Sequence, residues 1–83
     1  MQKLDKEQQL FVITMEECGE LAQMCSKAMR KQTTDLQNLK DEIGDVYAML
    51  DLMTEYGIVS WSEIHDRARE KRSKLATWSD LRT

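Results

Sequence analysis

The chain has 83 residues, 33% of them charged, with no proline, three glycines and a formal net charge of −3. A single domain over residues 1–83 fits that length, and a chain of this size buries only about 60–65% of its unfolded surface, which makes its core marginal without a partner. The charge balance lacks the basic excess of a nucleic-acid-binding protein, and the scarcity of turn formers removes an all-β fold, leaving the all-α class.

The longest apolar run, Leu10 to Met15 with Thr14 inside it, falls far short of the roughly 20 residues of a membrane span, and the polar N-terminus does not resemble a signal sequence. A soluble, cytoplasmic protein with neither membrane nor nucleic-acid partner is expected. Cys18 and Cys25 lie two turns apart on one predicted helix, about 10 Å along its axis, too far for an intrachain disulfide. They are expected as small buried hydrophobes in a reducing compartment.

From about Leu4 to Lys31 only Gly19 interrupts a pattern of apolar residues at helical spacing, which predicts one long helix of roughly 40 Å. Its apolar residues wrap well beyond one stripe, so burying them all takes more neighbours than one chain easily provides. Gln32, Thr33 and Thr34 form a short connection, and Thr34 with Gln37 fits a capping box that opens a second helix running to about Tyr56. Leu36, Leu39, Ile43, Val46, Leu50 and Met53 give that helix the three-four spacing of a bundle member. Gly57 is placed to end it. Ser60 with Glu63 is a further capping box, predicting a third helix from Trp61 to about Leu75 and then a polar tail carrying Trp78.

Two tetrads nearly repeat each other: Glu17-Cys18-Gly19-Glu20 and Glu42-Ile43-Gly44-Asp45. Carboxylates three apart share a helix face, here among Leu10, Ile13, Leu21 and Met24 in one case and Leu39, Val46, Met49 and Met53 in the other. In a long antiparallel hairpin turning near residue 33, Glu20 and Glu42 have their midpoint at 31, as do Glu17 and Asp45, so each pair falls within a few Å of equal height. Four carboxylates in one pocket repel, and either one takes a proton or a cation joins them. An all-oxygen set suits Mg²⁺ or Mn²⁺ rather than zinc, and a carboxylate-held Mg²⁺ implies a phosphate substrate. The single histidine, His65, lies outside both tetrads, against the paired Glu-x-x-His motifs of di-iron bundles, and is expected on the surface. Gly19 and Gly44 each cost about 1 kcal/mol against alanine within a helix, and are expected to allow close helix approach beside the metal.

Glu16-Glu17-Cys18-Gly19-Glu20, followed after 21 residues by Glu42-Ile43-Gly44-Asp45, resembles the EExxE and ExxD signature of the MazG-like all-α nucleoside triphosphate pyrophosphatases. The resemblance runs from about Phe11 through Asp51 and, more loosely, to Lys71-Arg72-Ser73-Lys74-Leu75, which is similar to compact bacterial and phage members. It implies Mg²⁺-dependent hydrolysis of a (d)NTP to its monophosphate and pyrophosphate in a dimer or dimer of dimers. By motif position, Glu17, Glu20, Glu42 and Asp45 would hold the metal. Glu20, in the catalytic pair with Glu17, would orient or deprotonate the attacking water, and Glu16 would support the ligands from the helix flank.

Cationic contacts for a triphosphate are offered by Lys27 and Lys31, which helical periodicity places on the face of Glu20. Lys71, Arg72 and Lys74 form a second basic group, similar to the family's C-terminal phosphate contacts. The asparagine usual among those basic residues is missing, so base and sugar contacts stay unassigned. Phe11, Trp61 and Trp78 fit either base stacking or core and interface packing. The expectation is a three-helix chain that assembles into a four-helix core as a homodimer or homotetramer and acts as a nucleotide pyrophosphohydrolase. The alternative of another class is a non-catalytic helical oligomerisation module whose acids pair across an interface with Lys27, Lys31 or the third helix. A further alternative is a member that binds nucleotide without hydrolysis.

Overall fold

A computed structural model describes residues 3–30 and 36–83. Three α-helices and no strand are found among them, in the order α1 (Lys6–Met29), α2 (Gln37–Glu55) and α3 (Trp61–Trp78). No helix among the described residues is long and apolar enough to cross a membrane. Contacts divide the chain into two compact units, Met1–Met53 and Thr54–Thr83.

In the first unit, α1 opens on a reciprocal cap. The Asp5 carboxylate accepts from the Gln8 backbone N–H at 2.7 Å, and the Gln8 side-chain oxygen accepts from the Asp5 N–H at 3.0 Å. Two of the orphan donors of the first turn are thereby satisfied, and the helix starts just after Asp5 rather than at Leu4. The Leu36 carbonyl accepts from the Lys40 N–H at 3.0 Å at the start of α2, and the Gln37 side-chain amide donates to Asp41 at 2.7 Å. Thr34, and with it the capping box expected there, lies outside the described residues.

Along α1 a stripe of buried or half-buried positions runs through Leu10, Thr14, Glu17, Leu21, Met24 and Ala28, with Val12 and Ser26 half-buried off it, and along α2 through Leu39, Glu42, Val46, Met49 and Met53, with Leu50 and Thr54 half-buried off it. Both sets alternate steps of four and three, the spacing of a stripe that faces a neighbouring helix. The two stripes form the seam of the hairpin, and Leu10 and Met49 are its buried apolar members, at 5% and 6% exposure. Thr14 is tolerated there because its hydroxyl donates to the Leu10 carbonyl at 2.7 Å. Of the six residues whose spacing was read for α2, Leu39, Val46 and Met53 lie in the seam and Leu50 is half-buried, whereas Leu36 and Ile43 are exposed; Glu42 and Met49 complete the inward positions.

Two expectations fail here. Cys18 and Cys25 are exposed rather than buried, because each sits about 60–80° around α1 from Leu10. Around Gly19 and Gly44 a Cβ would meet nothing within 4 Å, so neither glycine serves a close helix approach within the chain. Nine residues from Leu10 and five from Met49, they fall on the backs of their helices, roughly 140–180° from the seam.

In the second unit, Gly57 has φ +74 and its N–H donates to the Thr54 carbonyl at 3.1 Å, which stops α2 at Glu55. This left-handed conformation suits a residue without a Cβ. Ser60 and Glu63 form the expected box, each accepting from the other's N–H at 3.1 Å. The helix then continues past Leu75: the Leu75 carbonyl accepts from both the N–H and the hydroxyl of Ser79 at 2.9 and 2.7 Å. Trp78 is consequently the last helical residue, not part of a tail, and Lys71 Nζ lies 5.3 Å from its ring centroid two turns back on the same face. Exposed pairs Arg67 with Glu70 and Arg69 with Asp66 decorate the helix.

Candidate metal centre

Glu17 and Glu42 stand where the heptad spacing would place an apolar side chain, and Glu20 follows Glu17 by one turn. One carboxylate oxygen from each of the three lies within 4.8 Å of the other two. Glu42 retains only 9% of its accessible surface, Glu17 is half-buried and Glu20 is exposed. The cluster thus has a buried floor and an open edge.

Electrostatics of the floor are unfavourable as the chain stands. The Glu42 carboxyl is pushed up to about 7, first by the side-chain hydrogen bond with Glu17, then by burial, then by the charges of Glu17 and Glu20. Near neutral pH the cluster therefore holds a proton in the absence of another positive charge. Glu17 Oε2 and Glu42 Oε1 are nonetheless buried with no hydrogen-bond partner. No arginine or lysine among the described residues forms an ion pair with Glu17, Glu20 or Glu42.

Two orphaned buried oxygens, beside a third carboxylate within 4.8 Å, are what a coordinated cation would satisfy. With oxygen as the only donor type, the set suits a hard divalent ion.

Asp45 is not in this group. It is exposed on α2, because three residues turn the helix by about 300° and carry it roughly 60° off the seam from Glu42. The expected approach of Glu20 to Glu42 is found, but Glu42 meets Glu17 as well, in the place where Asp45 was expected. Glu16 and Lys27 are exposed on α1, and Lys31 lies outside the described residues. Lys71, Arg72 and Lys74 are exposed on α3, in the second unit.

Of the aromatic candidates, Phe11 is exposed on α1 and Trp78 is exposed against Lys71. Trp61 is half-buried with its ring centroid 6.0 Å from that of His65, and it lines an open cleft of about 520 Å³ with Thr54, Glu55, Val59 and Glu63. His65 itself is on the surface, as expected.

An all-α hairpin with carboxylates at seam positions has the kind of arrangement by which facing helices can hold a divalent metal. Residues 5–74 match the family model of the MazG nucleotide pyrophosphohydrolase domain, and the chain belongs to that family. The family hydrolyses nucleoside triphosphates with metal, and among the described residues the cluster of Glu17, Glu20 and Glu42 could hold one. Neither a curated protein nor a solved structure gives a significant match.

Proposed function

We propose that the chain is a Mg²⁺-dependent nucleotide pyrophosphohydrolase that converts a (d)NTP to its monophosphate and pyrophosphate. The observation that carries this reading is the pair of buried, unpartnered oxygens on Glu17 and Glu42 in a chain of this family. Glu17, Glu20 and Glu42 would hold the ion, with Asp45, one turn beyond Glu42 and exposed, as the fourth carboxylate of the motif. Mg²⁺, with Mn²⁺ as its substitute, supplies charge neutralisation for the cluster and polarisation of a phosphoryl oxygen.

Glu20 is the exposed member and the one that reaches solvent. It orients a water for attack on the α-phosphorus and accepts its proton, with Glu17 fixing its position and Glu16 supporting both from the flank. The new bond forms between the water oxygen and the α-phosphorus while the bond to the α,β-bridging oxygen breaks, and pyrophosphate leaves. Lys27 and Lys31, with Lys71, Arg72 and Lys74 of the same or a neighbouring subunit, would neutralise the phosphates. The chain acts as a single domain over residues 1–83, in a cytoplasmic homodimer or homotetramer with a four-helix core.

Pyrophosphate release is measured with each common (d)NTP and Mg²⁺ for the wild type and Glu42→Gln. Turnover by the wild type that the variant loses supports the reading. No turnover with any nucleotide, or equal turnover by both proteins, overturns it.

A further inference from the structure

Where α2 gives way to α3, the chain folds round an open cleft lined by Thr54, Glu55, Gly57, Val59, Trp61 and Glu63. All of these belong to the second unit. The volume of about 520 Å³ falls in the range of small-molecule pockets. Val59 and Trp61, both half-buried, give the cleft an apolar wall, and the charged side chains on its lining are Glu55 and Glu63.

Both helix ends leave the cleft negative. Glu55 is the last residue of α2, where the terminal carbonyls already carry partial negative charge and an acid is misplaced. The last turn holds no basic residue to offset it, and among the described residues Glu55 forms no ion pair. The N-terminus of α3, which borders the same cleft, would ordinarily draw an anion. Here that end is already closed: Ser60 and Glu63 each accept the other's N–H at 3.1 Å, and the Glu63 carboxylate brings its own charge to the first turn. The same hydrogen bond fixes the Glu63 side chain before any ligand arrives.

We infer that this cleft binds an alkylammonium ion, its charge met by Glu55 and Glu63 and its alkyl groups by Val59 and Trp61. The inference stands apart from the nucleotide reaction and from the carboxylates of the hairpin. An indole ring attracts a cation through its π-system, and the carboxylates complement the same charge. The apolar wall takes the methyl and methylene groups that a hydrated metal ion lacks. A divalent metal fits less well, because no group of three ligating side chains gathers at this cleft among the described residues. A phosphate fits worse still, since no lysine or arginine is on the lining.

Choline is a suitable probe, and neohexyl alcohol, its uncharged carbon isostere, is the control. Both are titrated into the full chain at constant ionic strength while heteronuclear NMR spectra follow the two indole N–H signals. Trp78→Phe tells these apart, since Trp78 lies at the far end of α3. Choline should move the Trp61 signal saturably and leave that of Trp78 in place. Neohexyl alcohol should bind about tenfold more weakly, and Glu55→Gln, which keeps the shape of the side chain and removes its charge, should weaken choline about two- to fivefold. A Trp61 signal that choline leaves in place, or moves without saturation, overturns the proposal. Equal binding of choline and the alcohol overturns it too, leaving an apolar recess with no preference for charge. So does undiminished binding by a Glu55→Gln chain whose spectrum is otherwise that of the wild type.

Discussion

Glu17 of α1 and Glu42 of α2 occupy inward positions on facing stripes, and each leaves one carboxylate oxygen buried without a partner. Their mutual hydrogen bond is the largest cause of the raised Glu42 carboxyl. Folding thus brings together two groups that only a proton or a cation can reconcile.

The metal-free protein therefore loses stability as the pH rises. Glu42 titrates from about 4.5 in the unfolded chain to about 7 in the folded one. Below the lower value both states hold the proton and the contribution is complete; between the two only the folded state holds it; above the upper value it is gone. Melting temperatures in chelator, taken as wild type minus Glu42→Gln so that the other carboxylates cancel, should fall from pH 4.5 towards pH 7. A flat difference across that window would mean that Glu42 is not held protonated.

Adding Mg²⁺ should reverse the penalty. At a hundred times its dissociation constant a ligand adds about 2.7 kcal/mol to the folded state, which for a chain of this length raises the melting temperature on the order of 10 °C. Glu42→Gln should melt above the wild type in chelator at neutral pH, having lost the repulsion, and should gain little from the ion. A variant that responds to Mg²⁺ as strongly as the wild type would remove Glu42 from the ligand set.

Glu20→Gln separates binding from chemistry. As the exposed carboxylate it contributes least to the buried floor, so Mg²⁺ should still stabilise the variant. Loss of the base should lower kcat by about 10²–10⁴-fold. Retention of full kcat would assign proton transfer to another group.

Glycine substitutions should have opposite signs. Gly57 adopts a positive φ, and alanine there should cost about 1–2 kcal/mol. Gly44 has open space around its Cβ position, and Gly44→Ala should stabilise α2 by up to about 1 kcal/mol. Chemical denaturation of the two variants checks both, and a destabilising Gly44→Ala would reveal a neighbour packed against the back of α2.

Three helices, the Ser60 cap and the Gly57 stop were legible because each rests on local chemistry within a few residues. The inward face was legible only in part. Each helix of the hairpin carries more than one apolar stripe, and periodicity alone does not choose between them. The spacing put Glu42 on the face of Leu39, Val46, Met49 and Met53, where it lies, but it also counted Leu36 and Ile43, which are exposed. The same ambiguity hid the exposure of Cys18 and Cys25. The matched heights of the acids were legible from spacing, but height says nothing of rotation, and rotation separates Asp45 from the others. Trp78 was misplaced because Ser79, which closes α3 on the Leu75 carbonyl, resembles any other polar residue of a tail.

Both tryptophans of the chain, Trp61 and Trp78, lie on α3, while α1 has neither tryptophan nor tyrosine and α2 has Tyr47. Indole emission accordingly reports on the second unit, which carries none of the clustered carboxylates. A cation that raises the melting temperature while leaving that emission unchanged acts within the hairpin, and one that shifts it has altered the second unit as well.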